Sequence, residues 1–381
     1  MIFEICCWGK RSYKKNIIIK KSYYMEKHIR ILMLQLGIYK QFRMLVKKMV
    51  GGSEKVKLLI MKDMEKNKIP KRLLIIGNGF DLDLGRNTRY SDFAKSDFWP
   101  KNLKSQLYRY LSQKSQIEKW FDLEGELANY VQKMGNTVSS YRALIPAIAQ
   151  EDAQDFKIIV ASMISYLQKV QSTNVKTDTL AAKVFTLACA NSAFSKIYSF
   201  NFTDLNRVAR QFQIPEMSNI EYVHGCLCDN SAILGINDQV DTIDGVYDFM
   251  RKSFNPHYSS HPVGFDLRDA DEVVFFGHSL GDNDYHYFQS FFKHQCEENL
   301  DKSEQRMITI FTYDETSRME IMRTLHKMNY GRTSMLFQNN KLNIFCTDNE
   351  EHKMSDAFRY WYQQRKSEIQ QIQTKEFFAD I

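Results

Sequence analysis

Residues 72–84 read RLLIIGNGFDLDL, and this stretch restricts the fold more than any other. Leu73 to Ile76 is an uninterrupted apolar run of strand length, which suits a strand buried on both faces of a parallel sheet covered by helices. Gly77, Asn78 and Gly79 follow at once. Glycine permits a sharp backbone turn and close approach of another group, and Asn tolerates the left-handed conformation that such turns use. A phosphate at the end of such a strand would meet backbone N–H donors. The full dinucleotide fingerprint needs a third glycine where Leu82 stands. Spacing alone therefore leaves two readings open: a nucleotide-binding turn, or a tight turn with no ligand.

The same pattern recurs downstream. Lys196–Phe200 leads into Asn201, Phe202, Thr203 and Asp204. Ile220–Val223 delivers His224 and Gly225. Glu272–Phe276 runs into the polar turn Gly277–Asp284, and Met307–Tyr313 and Leu342–Cys346 complete the series. Helical periodicity fills the intervals, so the fold class expected is α/β: a Rossmann-like parallel sheet flanked by helices. Residues 91–192 show helical spacing without a strand and are expected as an inserted helical cap. The α/β domain would then comprise 64–90 and 193–381. Polar residues directly after parallel strands sit where ligands bind in open α/β sheets, so Asn78, Asn201, His224, His278 and Asp282 should converge. Asp204 or Thr203 also reads as a helix N-cap. Glu124 lies beside the apolar face of a helix, either as a solvated charge or as a carboxylate able to orient a ribose hydroxyl. Arg86 and Arg89 read either as solvated loop residues or as contacts to a pyrophosphate.

Charge is unevenly spread. The net charge is +7, but residues 1–72 hold 19 of the 52 basic and 5 of the 45 acidic residues, a net of +14. The remainder holds 33 basic and 40 acidic residues, a net of −7. An acidic body is a poor nucleic-acid surface. Residues 1–63 read as a basic extension, since a start at Met64 would place the first strand near the N-terminus; the alternative is a basic amphipathic segment lying on a membrane. No apolar run reaches transmembrane length, and the seven scattered cysteines suit reduced thiols in a cytoplasm. His224, Cys226 and Cys228 fall short of the four ligands of a structural zinc site, so no metal is expected.

The motifs carry a resemblance. GNGFDL, W-F-D-L-E at Trp120–Glu124, S-F-N-F-T-D at Ser199–Asp204, V-H-G at Val223–Gly225 and F-F-G-H-S-L-G-D-N-D at Phe275–Asp284 resemble, in order, the motifs of the bacterial abortive-infection AbiH family, which acts against phage. Arg86-Asn87 stands where the family usually has Leu-Pro. More distantly, the order is similar to that of the sirtuin-like NAD-binding fold, although no paired C-x-x-C module is present.

That likeness implies NAD as substrate or ligand and cleavage of its nicotinamide–ribose bond. It gives His224 the role of base and Asn201 that of positioning water and ribose, with Asp204 in support. Gly77, Asn78, Gly79, Phe80, Asp81 and Glu124 would line the dinucleotide from one side, and Gly277, His278, Ser279 and Asp282 from the other. It leaves room for a phage-derived trigger and a homo-oligomer as partners. Two alternatives stand beside it: a non-catalytic nucleotide or ADP-ribose sensor, and a metal-dependent nuclease using Asp81, Asp204, Asp238, Asp282 and Asp284.

Overall fold

The computed structural model describes residues 70–118, 121–136, 139–190, 193–242, 245–351 and 355–379. The basic extension at 1–63 and Trp120 lie outside the described residues. The chain divides into two compact units, Ile69–Gln373 and Met1–Lys68 with Thr374–Ile381; the fold below is that of the first.

Six parallel strands form one sheet. In chain order they are β1 (Arg72–Ile76), β2 (Lys196–Ser199), β3 (Ile220–Tyr222), β4 (Glu272–Phe276), β5 (Met307–Thr312) and β6 (Lys341–Cys346). Their spatial order is β3-β2-β1-β4-β5-β6, the doubly wound order in which the chain reverses direction across the sheet between β1 and β4. Ile76 is in register with Ser199 on one side and Phe276 on the other, so the turns after β1, β2 and β4 leave the sheet side by side.

Side-chain alternation explains why the strands read as continuous apolar runs. Leu74, Ile76, Val274, Phe276 and Phe311 point to one face. There they pack on α1 (Asn78–Asp83), on α6 (Leu180–Ala188), on α7 (Leu205–Gln211) and on the last helix, α12 (Asp356–Ala379). Leu73, Ile75, Val273, Phe275, Ile308 and Ile310 point to the other face. They pack on α8 (Val263–Asp269), α9 (Tyr285–His294), α10 (Glu315–Met328) and α11 (Thr333–Asn339). Both faces are covered, which removes any need for a polar alternate. Among the described residues no helix is long and apolar enough to cross a membrane.

A third core belongs to the insertion. It is built by α2 (Tyr90–Ala94), α3 (Gln106–Ile117), α4 (Leu123–Gly135) and α5 (Ile145–Val170). Leu107, Leu127, Ile159 and Met163 meet Leu234, Ile236, Tyr247 and Met250 from the long connection between β3 and α8. Asp152 is fully buried at its centre and accepts from Leu107 N–H (2.9 Å) and from the hydroxyls of Tyr130 (2.7 Å) and Tyr247 (3.0 Å). Three donors replace the water that the carboxylate has lost.

The packing differs from the expected cap in two respects. Residues 180–188, assigned by periodicity to the insertion, pack under the sheet, because α6 is the last leg of the crossover into β2. Leu227, Leu234, Ile236, Tyr247 and Met250, far along the chain, supply part of the cap's core.

At the amino edge of the sheet Glu272 is 3% exposed. It accepts from Arg72 Nε (2.9 Å), Arg365 Nη2 (2.6 Å) and Trp361 Nε1 (3.2 Å), which fastens α12 to β1 and β4. Removing one member of a buried ion cluster leaves charges without partners and costs roughly 3–5 kcal/mol. Glu272→Ala should therefore lower unfolding stability by that order in a urea titration; a loss under about 1 kcal/mol would show that the cluster is not what holds α12.

Candidate functional site

The turns after β1 and β4 interlock through glycines. Gly77 N–H donates to Phe276 O (2.9 Å) and Gly79 N–H to Gly277 O (2.8 Å). A Cβ on Gly77 would lie 2.5 Å from His278 Cα, and one on Gly79 would lie 2.6 Å from Gly277 Cα. Gly277 is left-handed (φ 63°), and its own Cβ would lie 2.4 Å from Gly79. The glycines are therefore required by packing between two turns. The N–H groups of Gly77 and Gly79, expected from sequence near a pyrophosphate, are already engaged within the protein.

A first polar group sits beside this contact. Asn201 Nδ2 donates to Gly77 O (2.9 Å) and to Asp81 Oδ2 (2.7 Å), and Thr203 Oγ1 adds a bond to the same oxygen (3.0 Å). Arg86 is 1% exposed; it neither faces solvent nor reaches outward, but pairs with Asp81 Oδ1 (3.3 Å) and bonds Gln171 O (3.1 Å). Burial raises the Asp81 carboxyl above its usual range, and Arg86, Thr203 and Asn201 partly reverse that shift. With both amide hydrogens used, Asn201 retains only Oδ1 for a further partner.

The second group is the most densely charged. Asp284, directly before α9, receives His224 Nε2 on Oδ1 (2.8 Å) and faces His278 Nε2 with Oδ2 (3.4 Å). Leu280 N–H donates to His278 Nδ1 (2.9 Å), so the proton of a neutral His278 lies on Nε2, toward Asp284. Leu280 adopts a left-handed backbone (φ 55°) to make that bond, a strained conformation of the kind found where surrounding structure dictates geometry.

Lys252, 5% exposed, places Nζ 2.9 Å from Glu124 Oε2 and 3.5 Å from His224 Nε2. Burial opposes ionisation of Asp284, yet His224, His278 and Lys252 outweigh it and hold the carboxyl well below the usual range. Burial likewise opposes the Lys252 ammonium, and Glu124 and Asp284 overcome it, so the group stays cationic. Burial raises the Glu124 carboxyl, with Lys252 and His224 pulling against it.

Phe200 and Tyr90 connect the two groups. The Phe200 ring meets those of His224 and His278 edge-on at 5.4 and 4.5 Å. Burial, then the charges of Glu124, Asp122 and Asp284, push the Tyr90 phenol well above its ordinary value, so it keeps its proton. Both rings also wall a cavity of about 90 Å³ that Asn78, Asp81, Arg89, Asn201 and Thr203 line from the sheet edge and Met163 and Leu167 from the cap.

Of the residues named from sequence, Gly77, Gly79, Gly277, His278, Asp81, Asn201, His224 and Glu124 thus come together. Asn78 is exposed and bonded to Thr88 (2.5 Å). Four others have different placements. Phe80 is fully buried among Phe185 and Phe276 and serves the core. Asp204 caps α7 through Asn206 N–H (2.9 Å) and pairs with Arg210. Ser279 is exposed and bonds Gly281 N–H (3.3 Å), and the exposed Asp282 pairs with Lys327 (2.7 Å).

Cys226 and Cys228, expected as thiols, are joined by a disulfide. Nothing in the sequence singles out Lys252: its partners lie 128 and 28 positions away. From the sequence Asp284 was named as the end of a polar turn and as a candidate metal ligand of the nuclease alternative, and its pairing with His224 and His278 was not anticipated.

The charge on Asp284 has a pH signature. A carboxyl held low in the folded chain stabilises it in full above the unfolded value of about 3.9, and that contribution disappears as pH falls through the folded value. The groups facing Asp284 are His224, His278 and Lys252. In urea unfolding between about pH 3 and 7, the stability gap between the native chain and Asp284→Asn should be widest above pH ~4 and shrink below it. A gap that widens with acid would contradict the pairing.

The model of one family, described as bacteriophage abortive infection AbiH, matches residues 73–305. The match runs from β1 through α9 and contains Glu124, His224, Lys252, His278 and Asp284. No curated protein and no solved structure matches significantly, so the likeness to the sirtuin-like fold rests on motif order alone. With well over half of the chain inside the match, from the first strand through the charged cluster, the protein belongs to the bacteriophage abortive infection AbiH family.

Proposed function

We propose that this abortive-infection protein binds NAD and hydrolyses its nicotinamide–ribose bond. The observation that carries the reading is the partly buried Asp284–His224 pair with Glu124 and Lys252 beside it, next to a cavity at the carboxyl edge of a doubly wound sheet. Such a bond breaks through a state in which ribose gains positive charge, so the site must offer negative charge, a held water and an oriented base.

Glu124 and Asp284 outnumber the single Lys252, which favours a developing cation and places the anionic pyrophosphate outside the cluster. Asp284 fixes the His224 ring through Nε2 and leaves Nδ1 as the nitrogen that takes a proton from water. Asn201 Oδ1 is the remaining acceptor for that water or a ribose hydroxyl. A cavity of about 90 Å³ is far below the roughly 300–1,000 Å³ of ligand sites, so the dinucleotide enters by displacing the cap residues Tyr90, Met163 and Leu167.

A second reading is a sensor that holds a nucleotide or ADP-ribose at the same cavity without turnover and signals through a partner. The nuclease alternative has less support, since Asp81, Asp204, Asp282 and Asp284 each pair with a different partner and Asp238 accepts from Ser253. Among the described residues no group of three or more His, Cys, Asp or Glu is placed to hold a metal ion.

The deciding experiment incubates purified full-length chain with NAD, with and without phage lysate, and measures released nicotinamide. Release that drops roughly 10²–10⁴-fold in His224→Ala supports hydrolysis. Thermal stabilisation by NAD with the dinucleotide recovered intact supports the sensor. Neither release nor stabilisation removes NAD from the account.

A further inference from the structure

The segment that follows His224 holds a feature the proposed chemistry does not use. Gly225 is left-handed (φ 77°), and a Cβ there would lie 2.0 Å from Ser231 O, so the chain turns back tightly on itself. Cys226 N–H donates to Ser231 Oγ (2.9 Å), and Ser231 N–H returns a bond to Cys226 O (3.1 Å). Leu227 N–H donates to Phe202 O (2.8 Å), and its side chain is buried in the cap core. Cys226 and Cys228 are thereby held with Cα atoms 5.2 Å apart and are joined by a disulfide.

This bond is a poor staple. The stabilisation from a disulfide grows with the length of the loop it closes, and here one residue separates the cysteines. The turn is in any case held by the two Ser231 bonds. The two sulfurs differ in the way an exchange reaction needs. Cys228 is exposed, whereas Cys226 is 1% exposed and its Sγ accepts the N–H of Cys228 (3.1 Å), a contact that favours its thiolate. Exposed disulfides belong to the labile group, in contrast to buried structural ones.

We infer that Cys226 and Cys228 form a reversible thiol–disulfide site that exchanges with low-molecular-weight disulfides of the glutathione class. The Cys228 thiolate attacks one sulfur of oxidised glutathione; that S–S bond breaks and one glutathione thiolate leaves. The Cys226 thiolate, its proton released to solvent, then attacks the Cys228 sulfur of the mixed disulfide and expels the second glutathione. Two protein thiols are oxidised and one glutathione disulfide is reduced to two thiols. The site lies two residues from His224. It is independent of whether NAD is cleaved.

The test equilibrates the full chain in buffers graded from reduced to oxidised glutathione, quenches with acid, alkylates with iodoacetamide and maps peptides by mass. The peptide carrying Cys226 and Cys228 should pass from doubly alkylated to unalkylated with loss of two hydrogens, while Cys189, Cys296 and Cys346 remain alkylated. Cys226→Ser should accumulate a single glutathione on Cys228, and Cys228→Ser should take none. A native peptide that stays doubly alkylated in the most oxidised buffer, or that cannot be reduced in the most reduced one, overturns the inference whatever the variants do.

Discussion

A carboxylate withdrawn from water keeps its charge only where opposite charges and donors replace the solvent. Asp284 meets that condition with partners from three separate segments: His224 after β3, His278 after β4 and Lys252 from the long connection. Each is held in turn, His278 by Leu280 N–H and Lys252 by Glu124 of the cap. One partly buried charge therefore ties the carboxyl edge of the sheet to the inserted helices. It also explains why a lysine sits almost completely buried: Glu124 and Asp284 both favour its ammonium against the cost of burial.

The glycine contact makes this arrangement reachable. β1 and β4 are neighbours at the point where the sheet reverses its winding, the usual ligand crevice of such sheets. Here Gly77, Gly79 and Gly277 close the backbone of that crevice, and the open space shifts toward β2, under Tyr90 and Phe200. A motif that resembles a phosphate cradle thus acts first as a spacer: it sets the turns close enough for His278 to come up against Phe200 and Asp284.

The fold was largely legible in the residues, because a parallel strand covered on both faces leaves an apolar run ended by a polar turn, and all six strands lie within one residue of where those runs put them. The cap boundary was not legible: α6 has the same helical spacing as α5, and only packing separates them. At the site, residues following strands could be anticipated, since topology alone brings His224, Asn201 and His278 to one edge. Which of them face a ligand could not. Phe80 follows the same turn as Asn78 yet enters the core, and Asp204 satisfies a helix end. Lys252 carries no local signal, because its position is defined entirely by contacts with distant segments.

Membership of the AbiH family places the molecule in phage defence, and the charged cluster lies within the residues that the family matches. The account depends on Asp284 and His224 acting as one unit. A double-mutant cycle with Asp284→Asn, His224→Gln and the combined variant, read by urea unfolding at neutral pH, isolates that coupling. The account predicts an interaction energy of about 1–3 kcal/mol. Additive losses, with a coupling near zero, would contradict it.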